Sequence, residues 1–138
     1  MLASRRARVT REDLQRFLFE HVESYEELEL IVLLRRQRER DWSVGEAANE
    51  LGLSAGACLS ALEALVQRGL VVKSALAGSF RYAPCSLEAA ARLAQLDEFY
   101  RSQRLAVVML MSVNAIERLR LATLHRFADT LRLRDRKG

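Results

Sequence analysis

Between Ser43 and Pro84 the sequence is punctuated so closely that few chain paths satisfy it. Ser43 with Glu46 is a capping box, in which each side chain takes a backbone N–H left free at a helix start. Ala47, Ala48 and Leu51 follow at helical spacing, and Gly52 stops the helix where a left-handed backbone is needed. Ser54 caps a second helix. Leu59, Leu62, Leu65 and Val66 line one of its faces, and Gly69 stops it after Arg68. Leu70-Val71-Val72 is a β-prone run, 74–79 with Gly78 is a turn, and Phe80-Arg81-Tyr82 alternates as a half-buried strand does before Pro84 ends it. The spacing predicts helices over 44–51 and 54–68 and a wing hairpin over 70–83.

The flanks read as helix. Thr10 with Glu12 and Asp13 opens a helix over 11–22, where Leu14, Phe17, Leu18 and Val22 share a face. Ser24 and Glu27 form another box and open a helix over 25–40 that closes on Arg35, Arg36, Arg38 and Arg40, as the helix dipole favours. Ser86 starts a long helix over 86–111, whose Ala89, Leu93, Leu96, Tyr100, Val107 and Leu110 fall at steps of three and four, with Gln103 interrupting. Asn114 with Glu117 predicts a bend over 112–114, a last helix over 114–131 and a fraying tail over 132–138.

The expected organisation is a basic arm and short helix over 1–23, a winged core over 24–85 and a helical extension with a basic tail over 86–138. The expected fold class is mainly α: a winged helix-turn-helix with a small two- to three-stranded wing sheet and long C-terminal helices. A length of 138 residues fits one domain, and one Pro with six Gly argues against an all-β chain.

Several function classes are excluded on these grounds. The most apolar stretch, 105–113, falls well short of the roughly 20 residues that cross a bilayer, and MLASRRARVT lacks the apolar run of a secretory signal. Cys58 and Cys85 make neither a disulfide framework nor a zinc site, so a reduced, cytoplasmic protein is expected. His21 and His125 are far apart in sequence, no nucleophile–base arrangement can be argued and no Gly-rich phosphate loop exists. No enzyme activity, metal or cofactor is expected. Cys58 falls on the inner face of its helix and reads as a small hydrophobe.

The stretch WSVGEAANELGLSAGACLSALEALVQRGLVVKSALAGSFRYAP, 42–84, resembles bacterial winged-helix regulators of the MarR-like kind. Ala48 is small where two helices cross, Gly52 permits the tight turn, Leu53-Ser54 caps the second helix, and Leu62, Leu65 and Gly69-Leu70-Val71 match the usual exit into the wing. The resemblance implies DNA as partner, with the helix over 54–68 in the major groove and the wing on the backbone or minor groove. The recognition-helix residues so implied are Ser54, Ala55, Gly56, Ala57, Ser60 and Ala61. Phosphate contacts are expected from Arg35, Arg36, Lys73 and Arg81, joined by Arg5, Arg6 and Arg8 of the arm; the alternative for the run from Arg35 to Arg40 is a solvated, salt-bridged helix face.

The residues themselves pull in a second direction. Base reading draws on Arg, Lys, Asn or Gln, and between 55 and 61 only Ser60 is polar. Residues 43–85 balance Glu46, Glu50 and Glu63 against Arg68, Lys73 and Arg81, while 86–138 carry ten basic and six acidic side chains. A neutral recognition helix also suits a partner protein, such as a component of the transcription machinery. The resemblance further implies a homodimer, with Leu93, Leu96, Tyr100, Val107 and Leu110 as its interface. The alternative is that this stripe folds back on the helix over 11–22 within one chain.

Overall fold

A computed structural model describes residues 10–137; the arm arginines Arg5, Arg6 and Arg8 lie outside the described residues. In chain order the elements are α1 (Arg11–His21), α2 (Tyr25–Arg36), β1 (Trp42–Ser43), α3 (Val44–Leu51), α4 (Ala55–Gln67), β2 (Val71–Lys73), β3 (Ser79–Tyr82), α5 (Leu87–Ser102) and α6 (Arg104–Lys137). The strands form one antiparallel sheet in the order β1-β3-β2, with Trp42 opposite Phe80 and Val71 opposite Tyr82. This is a winged helix-turn-helix, mostly helical, with a small three-stranded sheet.

The local signals act as their chemistry requires. Thr10 and Ser43 each accept a backbone N–H three residues on, from Asp13 and Glu46, whose carboxylates return the bond. At α2 the exchange differs. Ser24 accepts from the Glu27 N–H, but the Glu27 carboxylate takes the Glu23 N–H and the Ser24 hydroxyl and meets Arg68, the residue that caps the end of α4. Gly52 turns the chain between α3 and α4 at φ 68°.

Gly69 is constrained twice. It sits at φ 79°, and a Cβ there would lie 2.9 Å from the Cys85 Sγ. Its carbonyl accepts the Cys85 N–H at 2.7 Å, which ties the base of the wing to the start of α5. Gly69→Ala should therefore cost about 2 kcal/mol, from left-handed strain plus the clash, whereas Gly52→Ala, with open space around its Cβ, should cost about 1 kcal/mol from strain alone. Urea unfolding of the two variants checks the difference; equal losses would count against the clash.

One buried cluster joins α2 (Leu28, Leu30, Ile31, Leu34), α4 (Leu62, Leu65) and the sheet (Trp42, Val71, Phe80) to α1, α5 and α6. Four expectations are corrected here. Helix α2 ends at Arg36, so Arg38 and Arg40 lie in the following turn. The C-terminal helices break at Gln103 rather than at 112–114, and α6 runs unbroken to Lys137 with no frayed tail over 132–137. Asn114 caps nothing: it is buried in mid-helix, where its Nδ2 donates to the Gln15 carbonyl at 3.1 Å and its Oδ1 accepts from Gln15 Nε2 at 3.4 Å. Finally, Leu93, Leu96, Tyr100, Val107 and Leu110, expected at a dimer interface, are all buried within the single chain, because α5 and α6 fold back on α1 and on each other.

Candidate nucleic-acid interface

Helix α4 meets the core through Cys58, Ala61, Leu62 and Leu65 and turns Ala55, Gly56, Ala57, Leu59, Ser60 and Glu63 outward. Five of the six residues expected on the recognition surface are exposed, among them Ala55, Gly56, Ala57 and Ser60 on α4 itself. Ser54 is also exposed, but its hydroxyl is occupied in accepting the Ala57 N–H at 3.1 Å. Ala61 is a correction: it is buried, because the helix period returns it to the core beside Cys58 and Leu65.

Beside α4 the wing closes a groove of about 500 Å³, lined by Val44, Leu59, Lys73, Ala77, Ser79 and Phe80 among others. Lys73 is exposed at the end of β2 and makes no ion pair with any described residue. Arg81, on β3, donates to the Glu39 carbonyl at 3.0 Å and lies 3.5 Å from the Asp41 carboxylate, so it braces the loop before β1 while staying half exposed. Leu59 in the groove, and Val72 and Leu76 elsewhere on the wing, are exposed apolar side chains.

Two of the arginines expected to hold phosphates, Arg35 and Arg36, are already engaged. Arg35 donates to Asp97 at 2.7 Å, and Arg36 gives the same carboxylate two bonds at 3.1 and 2.9 Å. Asp97 sits on α5 and is buried, and Arg101 approaches it to 3.5 Å. This cluster ties the end of α2 to α5. Nothing in the spacing of the arginine run distinguishes this from a free basic face. Arg38 and Arg40 remain at the surface. Arg40 lies 3.8 Å over the Trp42 ring and donates to Glu46 at 2.7 Å. The Glu46 carboxyl is held below the usual range, first by the Ser43 backbone N–H.

Other candidate chemistry is spent on structure. Burial pushes the Cys58 thiol up, away from a reactive thiolate, and its Sγ donates to the Val44 carbonyl. Among the described residues no group of three or more His, Cys, Asp and Glu is placed to hold a metal ion, and no helix is long and apolar enough to cross a membrane.

No family model and no curated protein matches the chain. Among solved structures, reduced HlyU from Vibrio cholerae N16961 is 26% identical, with a TM-score of 0.49 over 64% of this chain and 90% of that one. A second structure of HlyU from the same organism is 25% identical, with a TM-score of 0.49 over 67% of this chain and 98% of that one.

Proposed function

We propose that this chain is a DNA-binding transcription regulator that acts as a homodimer, with α4 presented to the major groove and the wing to the backbone. The observation that carries this reading is the joint exposure of the first turns of α4 and of Lys73, where Leu59 of α4 and Lys73 of the wing line one groove. The likeness of 42–84 to MarR-like regulators supports it. Affinity then rests on Lys73 and Arg81, with Arg38 and Arg40 flanking Glu39, whose carbonyl Arg81 holds, because Arg35 and Arg36 are committed to Asp97. Sequence preference is weak, since α4 offers the Ser60 hydroxyl and few other donors to base edges.

The test is retention of mixed genomic DNA fragments at low and moderate salt, with sequencing of what is held. Lys73→Ala and Arg81→Ala should weaken binding to all sequences alike and flatten the log–log salt slope by roughly one unit for each phosphate partner removed. A sharp change of preferred sequence would instead assign base reading to them.

A second reading has its own observation. The groove between α4 and the wing is walled by Val44, Leu59, Ala77 and Phe80, and such a surface accepts a helix or loop of a partner protein, for example of the transcription machinery. Absence of DNA retention even at low salt would favour this second reading.

A further inference from the structure

Helix α6 has 34 residues and is about 51 Å long at 1.5 Å per residue. Its first half is anchored on one face. Val107, Leu110, Met111 and Asn114 are buried, and Arg118 closes the contact by donating to the Leu18 and Phe19 carbonyls at the end of α1. Away from that face runs a second apolar line: Leu105, Met109, Val113, Ile116, Leu124, Phe127 and Leu131, with Arg120 in its middle. The steps are four, four, three, four, four, three and four, which keeps all eight on one side of the helix.

All seven apolar side chains are between 45% and 72% exposed. Together they present roughly 700 Å² of apolar surface, against about 800 Å² per partner in a standard interface, and soluble monomers rarely leave so long a stripe uncovered.

We propose that a second copy of this chain covers the stripe, with the two α6 helices antiparallel about a two-fold axis level with Arg118. This rests on the homodimer reading above and gives it a surface other than the buried residues of α5 and early α6. The stripe reads nearly the same in both directions. Reversed about that axis, Leu105 meets the partner's Leu131, Met109 meets the partner's Phe127, and Val113 comes within one residue of the partner's Leu124. The one polar member is accommodated as well. Arg120, which pairs with Glu117 of its own helix at 2.8 Å, falls opposite the partner's Ile116, so that its aliphatic stem lies in the seam and its guanidinium reaches the partner's Glu117 one residue on. A parallel pairing would set Arg120 against the partner's Arg120 in the middle of an apolar seam, where like charges repel.

Sedimentation of the full chain at micromolar concentration tests this. Wild type should sediment as a dimer. Ile116→Glu and Phe127→Glu should each give the monomer mass and still melt cooperatively, at a midpoint that no longer depends on protein concentration, because both side chains are exposed in the single chain. Arg120→Glu should weaken the dimer at least tenfold, and Glu117→Arg with Arg120→Glu should restore it. In a Cys85→Ser background, Leu105→Cys with Leu131→Cys should cross-link into a covalent dimer, while neither single variant should. A dimer indifferent to Ile116→Glu and Phe127→Glu keeps the homodimer and overturns this surface; cross-linking by Leu131→Cys alone overturns the antiparallel order. A monomeric wild type overturns both the surface and the homodimer, and its co-sedimentation with phosphatidylserine vesicles would assign the basic, amphipathic helix to a membrane surface.

Discussion

Asp97→Ala should lower the unfolding free energy by about 3 kcal/mol, at the low end for removal of one partner from a buried ion pair. The carboxylate side chain is 3% exposed and is the meeting point of Arg35, Arg36 and Arg101. Taking it away leaves the Arg35 and Arg36 guanidinium groups close together, with Arg101 nearby, and without the charge-assisted hydrogen bonds that hold the end of α2 to α5. Water reaches Arg35 and Arg36, whose side chains are 23% and 40% exposed, and that access keeps the cost from rising further. For a chain of this length the loss corresponds to a fall of roughly 10 °C in Tm. Asp97→Asn keeps the shape and one acceptor oxygen and should cost about half as much. Urea unfolding checks both; a change within about 0.5 kcal/mol for Asp97→Ala would show that the arginines do not depend on it.

The same cluster shows why part of the molecule was legible in sequence and part was not. Ser43 with Glu46, Gly52, Ser54 and Gly69 mark boundaries through local chemistry, and the winged core appears where they place it. Caps and left-handed glycines depend on neighbours a few residues away, and those neighbours are written in order along the chain. Pairing across elements is not. The run from Arg35 to Arg40 has one appearance whether it faces a phosphate or a carboxylate on a distant helix. Asn114 with Glu117 looks like a helix start, yet the Asn is satisfied by Gln15 on α1, so the helix has no reason to break there. The break falls at Gln103, the polar residue that interrupts the stripe of Leu93, Leu96, Tyr100, Val107 and Leu110. A stripe at three-four spacing states that a face is buried and leaves open which chain buries it. Here α6 carries two such stripes. The inner one is consumed by the fold, and the outer one was masked in the sequence by Arg120.

Ala57→Glu should reduce DNA retention about a hundredfold while leaving the protein as stable as wild type or slightly more so. Ala57 is the third residue of α4, exposed, with its N–H bonded to the Ser54 hydroxyl. A Glu there completes the capping box with Ser54 and places a negative charge at the positive end of the helix dipole, worth roughly 0.5 kcal/mol of added stability. The same carboxylate lies on the exposed first turn of α4, the surface that the proposed reading sets against DNA. It sets a charge against phosphates, cancels the favourable helix end and has no partner among the base edges except a cytosine amine. Like-charge juxtaposition at an interface costs several kcal/mol, and about 3 kcal/mol is a hundredfold. The opposite signs give the experiment its value, because a variant that unfolds less readily cannot have lost DNA through damage to the fold. Ser60→Glu, about one turn further along the exposed face, should show a similar loss. If Ala57→Glu retains DNA as wild type does, at the same salt, then α4 is not the element that enters the groove. The apolar surface between α4 and the wing would then be left to a protein partner.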